Sequence, residues 1–322
     1  MHSISICIPL YNGQRYIAQA IESVLNQTCG DFQLVVVDDC SGDSGPDIVK
    51  GFKDDRLVFY RNEKRLGLVE NWNKCVSYAS GEYICILHQD DYYLPNMLEQ
   101  ERALLANNAG VGIVFSQHYF IDAYDARMGV WKFTDSPGIW EGREIAKQHV
   151  IYNFAGMVTV MVKKDCYDSV GLYDKDFLLC PDWDMWLRIE LAGYRVGYLA
   201  EPLACYRVHD ESVTSQLMAR GLINEERQRF LRKAFSRMKL GHLLGSLEFV
   251  ALKKKAFRPI ADEELASVWQ AVREGSCNKA LLHLKTYIKI LIALEASTRV
   301  IIGYESMLHF LKQRLHVIRL KR

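Results

Sequence analysis

Tyr83-Ile84-Cys85-Ile86-Leu87-His88-Gln89-Asp90-Asp91-Tyr92-Tyr93-Leu94-Pro95 is the stretch on which the reading of this chain turns. Residues 83–87 are a short apolar run rich in strand formers, which predicts a buried parallel strand. The run stops at His88, Gln89, Asp90 and Asp91, and Pro95 suits the first turn of a following helix. Adjacent carboxylates at the C-terminal end of such a strand lie where open α/β sheets bind ligands. Hard divalent cations favour carboxylate oxygens and keep coordination places for phosphate. Two readings stand side by side here: a metal–diphosphate site, or an aspartate that only caps the next helix.

Toward the N-terminus, residues 3–8 read as a strand, closed by a turn over Pro9-Leu10-Tyr11-Asn12-Gly13. Tyr16, Ile17, Ala20, Ile21, Val24 and Leu25 then recur at helical spacing. Residues 32–37 are a second apolar strand ending in Asp38-Asp39, and Pro46 opens another helix. A third strand at 57–60, a polar loop at 62–67 and a helix at 68–79 lead back to the central run. This alternation predicts right-handed βαβ units and a parallel sheet.

Beyond a helix at 97–106 the pattern loosens. Residues 112–120 and 159–163 read as strands, with loops and one short helix between them. Residues 182–192 read as a helix with Met185, Trp186 and Ile189 on one face, and 196–199 and 203–208 as two strands. After Leu217 the strand signals stop and the chain reads as helical. There Leu281, Leu284, Ile288 and Leu291 form an apolar stripe. No internal repeat or low-complexity segment interrupts the chain.

Composition narrows the function classes. With 322 residues there is material for one large domain and an accessory one. A hydrophobic fraction of 49% with 25% charged residues excludes a disordered chain. Residues 279–322 carry nine basic residues against Glu295 and Glu305, a net +7, which leaves −6 on the preceding residues. The body therefore lacks the charge of a nucleic-acid binder, and only the tail has the sign for phosphate or anionic lipid. Nine cysteines, an odd number with no Cys-x-x-Cys pair, read as reduced thiols in the cytosol. No signal peptide is evident, and no apolar run reaches the ~18 residues of a membrane-spanning helix.

Three further groups could carry chemistry. Tyr11 and Asn12, with Asp38 and Asp39, follow adjacent strands and share one sheet edge. An aromatic ring there can stack on a base and a carboxylate can accept from uracil's ring N–H; alternatively Tyr11 packs in its turn and the aspartates form an Asx-turn. Asp182, at a helix start in Pro181-Asp182-Trp183-Asp184-Met185-Trp186-Leu187-Arg188, can be a cap or a general base toward an alcohol. Trp183 and Trp186 read as core and acceptor-pocket wall. Tyr206-Arg207-Val208-His209 follows a strand, where an isolated histidine is commonly a packing residue. The absence of Gly-x-Gly-x-x-Gly after the first strand argues against a dinucleotide site.

In order, Ile-Pro-Leu-Tyr-Asn, Val-Val-Asp-Asp-Cys-Ser, Gln-Asp-Asp, Pro-Asp-Trp-Asp-Met-Trp-Leu-Arg and Tyr-Arg-Val-His resemble the family-two inverting glycosyltransferases of GT-A fold, over roughly residues 3–215. The resemblance implies an α/β fold, Rossmann-like, with a mostly parallel sheet flanked by helices. The catalytic domain would span 1–216, its nucleotide-binding half about 1–110 and its acceptor half about 111–216. Residues 217–322 would be a helical C-terminal extension that resembles no module we can name.

By the same resemblance Tyr11 stacks on the base, beside Pro9 and Asn12, and Asp39 contacts uracil. Asn62, Gly67 and Asn71 line the nucleotide pocket, Asp90 holds the ribose, and Asp91 ligates Mn²⁺ or Mg²⁺. His209 approaches the metal or diphosphate and Asp182 is the catalytic base. Gln89 and Pro181 depart from the family pattern, which often has acidic residues there, and leave the donor sugar open. The expected partners are a nucleotide-sugar donor, most simply a UDP-sugar, and a saccharide or lipid-linked acceptor, as in assembly of a bacterial surface polysaccharide. The expected location is the cytoplasm or the inner face of its membrane, with peripheral lipid contact or homodimerisation through the C-terminal helices. A sugar nucleotidyltransferase would need a glycine-rich basic loop, where Leu10-Tyr11-Asn12-Gly13-Gln14-Arg15 has one glycine. A non-catalytic sugar-nucleotide-binding protein would not need both sets of carboxylates.

Overall fold

The computed structural model describes residues 2–219, 222–240, 246–274 and 276–294. The chain divides into two compact units, residues 1–219 and 220–322. The first unit begins with β1 (Ile4–Leu10), α1 (Ile17–Leu25), β2 (Phe32–Asp38), α2 (Gly45–Gly51), β3 (Leu57–Arg61), α3 (Leu68–Tyr78) and β4 (Tyr83–Ile86). All seven residues of β1 and all four of β4 are buried, as strands covered on both faces must be.

The second half of this unit contains β5 (Tyr92–Tyr93), α4 (Met97–Asn107), β6 (Val111–Ile121), β7 (Arg127–Trp131), β8 (Gly138–Trp140) and α5 (Gly142–His149). It continues with β9 (Val160–Lys163), α6 (Lys164–Val170), α7 (Pro181–Leu191), β10 (Arg195–Arg207) and α8 (Val213–Ala219). The sheet order is β3-β2-β1-β4-β9-β6-β10-β5, with β7 on β6 and β8 on β10. β3, β2, β1 and β4 are parallel, so the order reverses at β1 and opens a crevice beyond the C-terminal ends of β1, β2 and β4. Two apolar clusters fill the two sides of the sheet, one around Ile6, Ile21, Leu34 and Met97, the other around Trp72, Ile84, Phe115 and Trp186.

Several expectations change. β4 is parallel to β1 but antiparallel to β9, so the central strand joins a parallel half to a mixed one. Pro9 is inside β1, paired with Val37, and does not begin the turn. Pro95 precedes α4, whose cap position is Asn96, so neither Asp90 nor Asp91 caps that helix. The stretch between β6 and β9 contains the strands β7 and β8 as well as α5. The two expected strands at 196–199 and 203–208 are one strand, β10, because register shifts around Leu199, Pro202 and Ala204 absorb the proline's missing N–H.

In the second unit α9 (Ile223–Leu240), α10 (Ser246–Arg273) and α11 (Cys277–Leu294) are helical. Leu284 and Ile290 are buried in α11, Ile288 is half-buried and Leu281 is 40% exposed, so the expected stripe is only partly covered; the side chain of Leu291 lies outside those described. Of the basic segment 279–322, residues 295–322 lie outside the described residues, and no membrane or dimer contact is described for the rest. Among those described, no helix is long and apolar enough to cross a membrane.

Candidate active site

The crevice is a cavity of about 800 Å³, within the range of small-molecule sites. Its lining includes Tyr11, Asp39, His88, Asp90, Asp91, Asn153, Asp182 and His209, which come from six separate stretches of chain.

At the end of β1, the side-chain amide of Gln89 pairs with the Tyr11 backbone: Tyr11 N donates to Gln89 Oε1 (2.8 Å) and Gln89 Nε2 donates to Tyr11 O (3.1 Å). A Cβ on Gly13 would run into that amide and push it off the Tyr11 backbone. Asn12, at φ 49°, donates its N–H to Ser41 Oγ and accepts from Gly42 N. The Tyr11 ring is half-buried, and the Arg65 guanidinium sits 4.0 Å from its centroid.

Asp38 and Asp39 diverge. Asp38 is fully buried, accepts from Ser41 N three residues on and pairs with Arg61 (3.3 Å), so its role is structural. Asp39 accepts from Leu66 N (2.7 Å), Gly67 N (2.8 Å) and Asn62 Nδ2 (2.9 Å). Asn62 also donates to Asn71 Oδ1, and Asn71 donates to Val37 O. Gly67, at φ 91°, lets the loop turn into α3 with its N–H aimed at Asp39. Asp39, Asn62, Gly67 and Asn71 are thus one hydrogen-bonded unit that sets the 62–67 loop against the cavity.

Beyond β4, ligand atoms of His88, Asp90 and Asp91 lie within 4.8 Å of one another. Asp91 Oδ1 accepts from Arg207 N (2.8 Å), but its buried Oδ2 has no hydrogen-bond partner among the described residues. His88 Nδ1 is 3.7 Å from that orphaned oxygen. Burial, then the neighbouring Asp90 charge, pushes the Asp91 carboxyl well above the usual range. Burial also pushes Asp90 up, but the hydrogen bond from His209 and the nearby His88 outweigh it, and its carboxyl falls below the usual value. A buried carboxylate oxygen without a partner, beside a second carboxylate and an imidazole, fits a divalent cation such as Mn²⁺ or Mg²⁺.

His88 had not been singled out as a ligand from the sequence, although its spacing from Asp90 and Asp91 was visible. His209 is not in the three-residue cluster. Its Nε2 bonds Asp90 Oδ2 (2.9 Å) and its ring packs on Tyr16. Arg207 was also overlooked. Its buried guanidinium donates to the Asp90 carbonyl, Asp122 O, Gln19 Oε1 and Asp125 Oδ1, and is consumed as a clamp.

Across the cavity, Pro181 is the first residue of α7 and Cys180 holds the cap position, so Asp182 is not the cap. Its carboxylate accepts from Asn153 Nδ2 (3.0 Å), and burial raises its pKa to about 6 against the lowering effect of the Trp183 N–H and Asn153. The rest of the α7 motif is scaffold: Asp184 pairs with Arg188, whose guanidinium also holds Val170 O and Leu172 O. Trp183 and Trp186 are buried, donating to His149 O and Ala155 O, and are not the pocket wall. Phe120, Trp131 and His118 form that wall, with Trp131 stacked on His118. Burial lowers the His118 pKa to about 4, so this ring is neutral.

A parallel half-sheet with carboxylates at its strand ends, joined to a mixed half carrying a raised aspartate, defines a nucleotide-sugar transferase fold of GT-A type. The family model for glycosyl transferase family 2 matches residues 5–167, and the chain belongs to that family. An uncharacterized glycosyltransferase of Methanocaldococcus jannaschii is 32% identical over 209 residues, covering 64% of this chain and 70% of that one. The Escherichia coli UDP-Glc:alpha-D-GlcNAc-diphosphoundecaprenol beta-1,3-glucosyltransferase WfgD is 26% identical over 66% of this chain and 79% of its own. The crystal structure of S. aureus TarS 1–349 with UDP-GlcNAc superposes with a TM-score of 0.58, 14% identity and coverage of 90% and 92%. That likeness shows the GT-A fold. The protein is a glycosyltransferase.

Proposed function

We propose that this glycosyltransferase moves a sugar from a UDP-sugar to a hydroxyl of a saccharide or lipid-linked saccharide, with inversion at the anomeric carbon, in assembly of a bacterial surface polysaccharide. The observation that carries the reading is the pairing, on one cavity, of the His88–Asp90–Asp91 cluster with the raised carboxyl of Asp182. The name of WfgD gives a UDP-sugar donor and a diphosphoundecaprenol-linked acceptor, and the TarS crystal holds UDP-GlcNAc.

In this reading Tyr11, beside Pro9 and Asn12, stacks on the base. Asp39, with three of its roughly four acceptor positions taken, has one left for uracil N–H. Asn62, Gly67 and Asn71 hold that carboxylate in place. Asp90, steadied by His209, meets the ribose; Asp91, with His88, holds Mn²⁺ or Mg²⁺. Held by these two side chains, such an ion would neutralise charge on the departing diphosphate. Asp182 takes the acceptor's proton as that oxygen attacks from the face opposite the leaving group, so one displacement inverts the configuration. A pKa of about 6 suits this work, since the group is ionised at neutral pH yet still basic. The catalytic domain is residues 1–216, and the 217–322 extension brings the enzyme to its acceptor at the inner face of the membrane or pairs two copies.

Hydrolysis of a panel of nucleotide sugars with Mn²⁺ tests the donor class. Turnover confined to UDP-sugars is expected, and equal turnover of GDP-sugars overturns it.

A further inference from the structure

Behind Asp182 lies a chain of buried polar groups that the reaction described above does not use. His149 and Glu190 are both fully buried, and His149 Nδ1 is 2.6 Å from Glu190 Oε1. The other ring nitrogen, Nε2, is 3.0 Å from Asn153 Oδ1. Asn153 Nδ2 reaches Asp182 Oδ2 at 3.0 Å. Each link comes from a different part of the chain: Glu190 from α7, His149 from the end of α5, Asn153 from the loop after it.

The direction of these bonds is fixed by chemistry. Ala155 N, which can only donate, points at Asn153 Oδ1 (3.3 Å). That sets the amide with its oxygen toward Ala155 and His149, and its NH₂ toward Asp182. An amide oxygen can only accept, so His149 Nε2 must carry a hydrogen. Glu190 faces the other nitrogen, where it either receives a proton from the imidazolium or gives one to the neutral ring. In both cases Nε2–H stays turned to Asn153.

We infer that Asn153, His149 and Glu190 are a positioning relay for Asp182, in which Glu190 fixes the His149 tautomer, His149 orients the Asn153 amide, and the amide holds one carboxylate oxygen. The inference rests on the reading of Asp182 as the group that takes the acceptor proton. The relay supplies what a base at a cavity wall needs, a fixed orientation and a donor that favours its ionised form. Burying a charge-capable pair is costly, the more so because Glu190 Oε2 has no hydrogen-bond partner among the described residues, and a role in positioning accounts for its presence here. The hydroxyls of Tyr173 and Tyr206, raised far above neutrality by burial and, to a lesser degree, by the Asp182 charge, stay protonated.

The test is the titration of the Asp182 carboxyl carbon by ¹³C NMR in the full chain, with the signal assigned by its loss in Asp182→Asn. The parent midpoint is about 6. Asn153→Ala removes a donor to the charged form and raises the midpoint by about one unit. His149→Phe raises it in the same direction, and His149→Gln, which restores a donor toward Asn153, returns it toward the parent. ¹⁵N spectra of the unmodified protein, needing no substitution, show His149 Nε2 protonated on both sides of neutrality. An unmoved midpoint in Asn153→Ala, or a bare Nε2 in the parent, overturns the relay and leaves the role of Asp182 untouched. Retained transfer in Asp182→Asn overturns that role and leaves the titration results standing.

Discussion

Gln89 holds Tyr11 by both of the tyrosine's backbone polar groups, so the loop after β1 and the carboxylate-bearing loop after β4 are one hydrogen-bonded piece. Gln89→Leu leaves a donor and an acceptor of Tyr11 without those partners and costs about 1–3 kcal/mol in stability. Urea denaturation measures this directly, and a fall in UDP affinity accompanies it because Tyr11 is no longer held.

Tyr11 and Asp39 separate in the same experiment. Tyr11→Ala removes a stacking face and lowers UDP affinity by about 1–3 kcal/mol, with the melting temperature unchanged. Asp39→Ala frees the N–H groups of Leu66 and Gly67 and the amide of Asn62, so it lowers stability by about 3 kcal/mol as well as UDP affinity. Calorimetric titration beside thermal melts distinguishes the two patterns.

For the cation, EDTA abolishes transfer and Mn²⁺ restores it. Asp91→Asn lowers Mn²⁺ affinity by more than about 100-fold. Without metal the same variant is at least as stable as the parent, because it removes a buried charge set against Asp90. Full turnover by metal-free enzyme contradicts the assignment of Asp91.

The Asp182 carboxyl gives a pH dependence of definite sign. Its pKa rises from 3.8 unfolded to about 6 folded, so between those values the folded state binds more protons than the unfolded one. Stability therefore falls as pH rises from about 4 to about 6, whereas transfer rises through pH 6 as the base ionises. Asp182→Asn loses about 10²–10⁴-fold in transfer rate at unchanged UDP affinity, and at neutral pH it melts no lower than the parent. Near-parental transfer in that variant removes the base from the mechanism.

The net +7 of residues 279–322 predicts binding to anionic vesicles at low salt and release at high salt. Liposome flotation measures it, and absence of binding at low salt leaves packing or dimerisation as the role of this segment.

The donor side of the site was legible because its signals are local. β1, β2 and β4 are apolar runs cut off by polar residues, and strand ends of a parallel half-sheet converge on one edge. The acceptor side was not. β7 exposes four of its five residues, so no core-facing alternation marks it. Pro202 inside β10 argued for a break that register shifts avoid. In the α7 motif, Asp182, Asp184 and Glu190 are three acids in nine residues of one helix. Which faces the cavity, which pairs with Arg188 and which meets His149 depends on neighbours in other elements. The same holds for His209, whose contact with Asp90 spans 119 positions.

Arg207 limits how this enzyme can diverge. Its guanidinium joins Asp122 O and Asp125, in the turn between β6 and β7, to the Asp90 carbonyl, while its N–H holds Asp91. The turn is a surface loop at which lengthening would ordinarily be harmless, and Tyr124 at its tip is 83% exposed. Here an insertion would release the arginine and loosen both aspartates at once. If the acceptor binds as proposed, variation that retunes it falls elsewhere on the rim, around Trp131 and Phe120, and a chimera that exchanges the 122–125 turn would loosen Asp90 and Asp91 before it changed that wall.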